Sequence, residues 1–265
     1  WLTVSINTAC IEMEVEHCSK RDIIIKALSM AEKAVSSGAD LIVLPEVFST
    51  GFCYEGISDL AEEAPFLTIS KLIDFSKSKE CTMIGSIIEA QFQGGVPVFY
   101  NMGFCVEHGK LAGVYRKSHP FRQEQNYFAA GNSIHPIFLE KHDIKIGLEI
   151  CYELRFPEVA RKLALEGADL LVTVAQFPHP RKHVWRTLAL ARSIENQMPH
   201  IACNSVGSSP TSSFFGDSII IGAAGDVLVE ADDKECMIMH LIDTVNTDKV
   251  RSEIPVFSDR RTDLY

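Results

Sequence analysis

The feature that most constrains this chain is its alternation of short apolar runs with stretches of helical periodicity. Residues 41–44 (Leu-Ile-Val-Leu) form a continuous apolar run, as expected of a strand covered on both faces. Just before it, residues 19–37 repeat apolar positions at helical spacing through Ile23, Ile24, Ala27, Leu28, Ala31, Ala34 and Val35, with Gly38 as the stop. The cycle recurs: a helix over 66–78 and a strand over 82–88, then a helix over 157–166 and a strand over 169–175, then a helix over 184–196 and a strand over 200–206. Strands are also expected at 2–6, 144–150 and 237–241. Two hairpins interrupt the alternation: 98–107 with 110–115 across His108-Gly109, and 218–222 with 227–230 across residues 223–226.

Helices and hairpins mixed along one chain imply an α/β fold with mixed sheets. About a dozen strands is near the limit of one open sheet, so two stacked sheets with helices outside are expected. No repeat, low-complexity tract or linker divides the 265 residues, so residues 1–265 are read as a single domain with an irregular tail from about residue 244.

Composition narrows the partners. The formal charge of −10 lacks the counter-charge of a general nucleic-acid binder and suits an anionic membrane surface poorly. No apolar run approaches a membrane span, and the first residues lack the basic and apolar regions of a signal peptide. The chain does not begin with Met, which leaves room for a short preceding leader. The eight cysteines are scattered with no Cys-x-x-Cys, which reads as eight free thiols and a cytoplasmic protein.

Three positions suit chemistry. Glu46 follows the buried strand at 41–44, with Pro45 fixing the exit; a desolvated carboxylate there suits proton transfer, the alternative being a helix cap or an ion pair. Cys151 follows the apolar run at 144–150 and precedes a turn into a helix, a placement that presents a nucleophile to backbone N–H groups, the alternative being a buried thiol. Lys117 follows the hairpin strand, where a lysine is usually solvated; beside Cys151 and Glu46 its ammonium would favour a thiolate and a developing oxyanion.

These residues sit in segments that together resemble the nitrilase (carbon–nitrogen hydrolase) superfamily. The segments are Gly38-Ala-Asp-Leu-Ile-Val-Leu-Pro-Glu46, Tyr115-Arg-Lys117 and the run from Gly147 to Glu158 containing Ile150-Cys-Tyr and Arg155-Phe-Pro-Glu. Ala191-Arg-Ser-Ile-Glu-Asn-Gln197, Asn204 and the tail from Arg251 through Pro255 to Asp259-Arg-Arg-Thr-Asp also fit. The resemblance implies an α-β-β-α sandwich and a homodimer or higher homo-oligomer in which the C-terminal segment serves as an arm. It implies that Cys151 attacks an amide carbonyl, Glu46 moves the proton, and Lys117 with the backbone N–H of Tyr152 holds the oxyanion. A second family carboxylate falls on Glu124, whose alternative is a surface position in a polar loop. No metal or organic cofactor is implied.

Within the superfamily, Arg116-Lys-Ser-His-Pro-Phe-Arg122 and Phe177-Pro-His-Pro-Arg-Lys-His-Val-Trp185 look most like the ω-amidase-like amidases. These release ammonia from small carboxylate-bearing amides such as 2-oxoglutaramate. Arg181 would take the free carboxylate, with Arg122 and Arg155 as competitors; for Arg155 a structural ion pair is the favoured reading. Gln176 and Phe177 stand where many relatives carry Asn-Trp, so both are assigned to the substrate wall. Nitrile hydrolysis and N-carbamoyl amino acid hydrolysis use the same three groups and remain open, as does a non-catalytic binding protein on the same fold. His179 and His183 have ligand spacing but no evident third ligand, which argues against zinc there. Gly94-Gly95 reads as a turn, since no Gly-Lys-Ser/Thr follows.

Overall fold

The computed structural model describes residues 4–264. The first half runs β1 (Ser5–Glu12), α1 (Lys20–Ser36), β2 (Leu41–Val43), α2 (Ile57–Leu60), α3 (Leu67–Lys79), β3 (Thr82–Gln93), β4 (Val96–Glu107) and β5 (Lys110–Arg116). The second half runs β6 (Ile137–Leu139), β7 (Ile144–Ile150), α4 (Pro157–Leu165), β8 (Leu170–Val174), α5 (Lys182–Asn196) and β9 (His200–Cys203). It closes with β10 (Val206–Ser209), β11 (Ser212–Phe215), β12 (Ile219–Ile221), β13 (Val227–Glu230), β14 (Cys236–Asp243) and α6 (Val245–Glu253).

Two six-stranded mixed sheets result, in the orders β14-β1-β2-β3-β4-β5 and β13-β12-β9-β8-β7-β6. Each has parallel strands at its centre, β1-β2-β3 in one and β7-β8-β9 in the other, flanked by antiparallel strands. The parallel centres carry the continuous apolar runs: β2 and β8 are buried at every residue. One apolar layer joins the sheets through Leu41, Val43 and Ile84 against Ile146, Leu148, Ile150, Val172 and Val174. Gly103 on β4 lets them approach, because a Cβ there would stand 2.6 Å from Leu148 Cδ2. Outside the first sheet, α1 lays down Ile23, Ile24, Ala27, Ala31 and Ala34 beside Leu72 of α3. Gly38 ends α1 at φ +96°, returning its N–H to Val35 O at 2.8 Å. Outside the second sheet, α4 buries Val159, Ala160 and Leu163 against Leu171. The α-β-β-α layering follows.

Several expectations need correction. Cys18 and Cys53 form a disulfide with their Cα atoms 5.5 Å apart, so the eight cysteines are not all free. The pairing was hidden because the two lie 35 residues apart and meet only when the end of β1 and the loop after β2 converge. The tail from about residue 244 is not wholly irregular: α6 forms there, with Thr247 buried. The strand expected at 2–6 runs instead over Ser5–Glu12, in register with all of β14; residues 2 and 3 lie outside the described residues. The strand expected at 200–206 divides into β9 and β10, and the β10–β11 hairpin was not foreseen. Among the described residues, no helix is long and apolar enough to cross a membrane.

One buried polar relay reports on proton count. The Thr173 hydroxyl lies 2.7 Å from both Glu149 Oε1 and His200 Nε2, while His200 Nδ1 lies 3.0 Å from Ala189 O. Burial holds His200 down to about 4, so its ring is neutral at pH 7. With Nδ1–H given to Ala189, the ring presents only an acceptor to Thr173. One hydroxyl proton cannot serve two acceptors, and a protonated Glu149 resolves the conflict. Accordingly, burial pushes Glu149 up from 4.5 to about 7. A raised carboxyl pKa stabilises the fold below the unfolded value and loses that contribution as pH rises through the folded value. We predict that wild type loses up to about 3 kcal/mol relative to Glu149→Gln between about pH 5 and about pH 8 in urea titrations. A difference that does not change with pH would refute the protonated relay.

Candidate active site

Three strand ends from two sheets meet at one place. Glu46 leaves β2 through Leu44-Pro45, Lys117 follows β5, and Cys151 follows β7. Lys117 is pinned on both sides: its N–H donates to Asn101 O at 2.9 Å, and its carbonyl accepts from Gly131 N–H at 2.8 Å. Its Nζ donates to Glu46 Oε1 at 2.7 Å and to Glu124 Oε2 at 2.9 Å. Glu46, Lys117 and Glu124 are respectively 0%, 1% and 5% exposed, so Glu124 is not a surface residue. It sits on a 3-10 turn over Arg122–Asn126.

Glu46 is held from four directions. Asn101 Nδ2 donates to Oε1 at 2.8 Å, beside Lys117, and Gln176 N–H donates to Oε2 at 3.0 Å. The Gln176 side-chain amide also donates to Glu46 O at 2.8 Å, so Gln176 orients the carboxylate as well as lining the cleft. The next residue, Val47, has φ +37°, a costly conformation for a β-branched residue, and Ser86 Oγ accepts its N–H at 2.7 Å.

Charge in this buried site is unevenly shared. Desolvation alone would lower Lys117, but Glu124 and Glu46 outweigh it and hold the ammonium well above its usual range. Burial raises Glu124 to about 7 against the pull of Lys117. Burial also raises the Cys151 thiol, and the Glu46 carboxylate adds to this; Lys117 opposes both and loses. Lys117 thus favours the thiolate, as expected, but burial and the Glu46 carboxylate to which the thiol is hydrogen-bonded outweigh it and keep the thiol protonated at neutral pH. The single ammonium does not offset both the burial of the thiol and the negative charge of Glu46.

Cys151 opens a 3-10 turn over Cys151–Arg155 at φ +50°, a strained elbow. Glu153 anchors that elbow. Its Oε2 accepts from Ile150 N–H at 2.8 Å, and its Oε1 from Ser118 N–H at 2.7 Å and Tyr115 Oη–H at 2.6 Å. Burial would raise Glu153, but bonds from His119, Ser118, Tyr115 and Ile150 outweigh it and hold the carboxyl below its usual range. Glu153 thus ties the residues flanking Lys117 to the strand that delivers Cys151. Sequence reasoning missed Glu153 and Asn101. Glu153 stood two residues from Cys151 and was readable as an anchor, whereas Asn101 lies inside an ordinary strand and gave no signal.

Cys151 opens into a two-lobed cleft. One lobe, of about 290 Å³, is lined by Glu124, Gln176, Phe52, Tyr54 and His17. The other is lined by Tyr152, Arg155 and Phe177, and Arg122 and Arg181 border both. Phe177 is buried against Trp185 and Phe215, so it shapes the wall from behind. Among the described residues, no carboxylate lies within ion-pair distance of Arg122, Arg155 or Arg181. The structural ion pair expected for Arg155 is absent; its guanidinium lies 5.8 Å from the Phe177 ring centre. The only donor cluster able to hold a metal among the described residues excludes His179 and His183.

Comparison with known proteins shows the family. The profile of the carbon-nitrogen hydrolase family matches residues 7–252. The chain is 34% identical to a 2-oxoglutaramate amidase of Bacillus subtilis, covering 97% of this chain and 98% of that protein. It is also 34% identical to a probable nitrilase of Schizosaccharomyces pombe, covering 98% and 97%. A carbon-nitrogen hydrolase crystal structure from Helicobacter pylori superposes with a TM-score of 0.88 at 28% identity, covering 98% of this chain and 97% of that one.

Lys117 is the sole cation among these buried groups, so its removal tests the electrostatics. We expect Lys117→Met to lose about 3–5 kcal/mol in urea unfolding at neutral pH, the cost of an uncompensated buried charge. Adding Glu124→Gln should recover part of that loss. Strict additivity in the double-mutant cycle would show that the ammonium does not couple the two carboxylates.

Proposed function

The chain belongs to the carbon–nitrogen hydrolase family, and from that premise we propose that it is an ω-amidase-like enzyme cleaving the terminal amide of small, carboxylate-bearing amides. It hydrolyses non-peptide carbon–nitrogen bonds. The observation that carries the finer reading is the set of three guanidiniums, Arg122, Arg155 and Arg181, left without carboxylate partners around the cleft into which Cys151 opens. An acidic substrate supplies the missing counter-charge in a geometry suited to bidentate contact. The name of the Bacillus subtilis relative agrees with this chemistry.

In the proposed reaction Glu46 takes the Cys151 proton as the sulfur bonds to the amide carbon. The neutral resting thiol makes this general base obligatory. Lys117 and the Tyr152 N–H face the developing oxyanion; a single such donor is typically worth on the order of 10²–10³ in rate. Glu46 passes the proton to the departing ammonia, leaving a thioester. It then takes a proton from water, which attacks the thioester; the carbon–sulfur bond breaks, the acid leaves, and Glu46 returns the proton to the Cys151 sulfur. Glu124 keeps Lys117 in place from the side opposite Glu46. Gln176 and Phe177 complete the substrate wall.

Assembly and location belong to the same proposal. Residues from about 244 form the arm of a homodimer or higher homo-oligomer, supported by the exposed apolar Val245 and Ile254. The cytoplasmic setting rests on reading the scattered cysteines as free thiols, and the Cys18–Cys53 disulfide pulls against it.

The test is ammonia release from 2-oxoglutaramate, 2-oxosuccinamate, glutamine, N-carbamoyl amino acids and a simple nitrile. Cys151→Ala should abolish turnover while melting like wild type; persistent turnover would end the mechanism. Arg181→Ala and Arg155→Ala should raise KM for acidic amides by about tenfold or more and spare neutral ones. Equal effects on both classes would remove the carboxylate anchor.

A further inference from the structure

Beside the cleft lies a second group of reactive side chains. The chain leaving β1 carries His17 and Cys18, and the loop after β2 carries Cys53 and Glu55; Cys18 N–H donates to Thr50 O at 3.0 Å and ties the segments together. One donor atom from each of His17, Cys18, Cys53 and Glu55 lies within 4.8 Å of all the others. His17 Nε2 is 2.9 Å from Glu55 Oε1, and the His17 Nδ1 atom is buried without a hydrogen-bond partner. Here the two sulfurs are joined, yet Cys18 is solvent-exposed while Cys53 is 2% exposed.

We infer that His17, Cys18, Cys53 and Glu55 form a zinc site that opens when their disulfide is reduced. Two thiolates, an imidazole and a carboxylate make a borderline-soft set of four, the donor types and number that zinc takes in closed tetrahedral sites. Tetrahedral zinc spaces its donors about 3.3–3.8 Å apart. That lies within the 4.8 Å that bounds every pair of these donor atoms, and opening the sulfur–sulfur bond lets the thiolates part to it. A pair with no other use for its donors would not need a histidine with an unpartnered buried nitrogen beside it.

Entry to the metal-binding form needs a dithiol reductant, either a small dithiol or a protein of the thioredoxin class. Its thiolate bonds to Cys18 Sγ, the exposed sulfur, and the Cys53 thiolate leaves. Its second thiol then breaks the mixed disulfide, releasing Cys18 and closing the reductant's own disulfide. Two electrons pass to the protein sulfurs, and on binding zinc the thiol protons pass to solvent.

The site is separate from Cys151 but shares its cleft wall. His17 and Gly51 line the catalytic lobe, and Phe52, one residue before Cys53, has its ring centre 6.0 Å from Lys117 Nζ. Metal in place of a disulfide exchanges one clamp for another on the wall beside the reacting groups.

The test uses the full chain carrying Cys151→Ala, so that the cleft thiol holds no metal. Dithiothreitol reduction, thiol counting and desalting precede titration with cobalt and then zinc. Expected are about one metal per chain, the visible bands of tetrahedral cobalt with thiolate charge-transfer bands, and no uptake by the oxidised chain. Cys18→Ser, at an exposed position, should weaken the thiolate charge-transfer bands by about half and zinc by at least about tenfold without lowering the melting temperature of the reduced chain. His17→Ala and Glu55→Ala should each weaken zinc at least about tenfold. Reduced thiols without metal uptake, an oxygen-only cobalt spectrum, or tetrahedral binding that survives Cys18→Ser with Cys53→Ser would each overturn the site.

Discussion

The site depends on one ammonium in a place water does not reach. Lys117 Nζ lies between the carboxylates of Glu46 and Glu124, and Lys117 and Glu46 are essentially unexposed. In such surroundings each ionised group needs its partners, because the cost of stranding one exceeds what an exposed pair ever supplies. The arrangement is therefore self-enforcing. The ammonium keeps two negative groups close together, and they prevent it from losing its proton. The burial that makes the group expensive also strengthens its pull on any negative charge that develops beside it.

A buried ion triad needs a rigid frame, and the two sheets supply one. Lys117 and Glu46 come from the first sheet and Cys151 from the second, so the relative placement of the sheets sets how near Cys151 stands to the other two. Two features hold that placement: the close packing at Gly103 against Leu148, and Glu153, whose carboxylate accepts from residues before and after Lys117 and from Ile150. Glu153 is a positioning residue. Held below its usual range, its carboxyl is ionised and accepting at neutral pH.

Much of this was legible along the chain, for identifiable reasons. Apolar runs and helical periods located the central strands and most helices, because parallel strands buried on both faces leave an unmistakable signal in Leu41–Val43 and Leu170–Val174. Glu46, Lys117 and Cys151 were legible as positions just past strands. What stayed hidden depends on the third dimension. No local pattern announces that Cys18 will meet Cys53, or that Asn101 in mid-strand will face a carboxylate. The balance at Cys151 is hidden for the same reason. The sequence shows a lysine to lower its pKa, but not the depth of burial or the second carboxylate that raise it.

The chain's charge bears on the substrate in a way its sum conceals. A formal charge of −10 repels an acidic small molecule at long range. At physiological ionic strength that repulsion decays over about 8 Å, so a ligand at the cleft mouth responds to the groups it touches. Those groups are Arg122, Arg155 and Arg181, with nearby aromatic rings in place of acids: Phe121 beside Arg122 and Arg181, Phe177 beside Arg155. A guanidinium against a ring face stays charged and keeps its in-plane donors free, whereas one paired with a carboxylate has already spent them. The cleft is thus an electropositive spot in an acidic surface. In the reading proposed above, an anionic substrate takes the place that acids leave open beside those arginines.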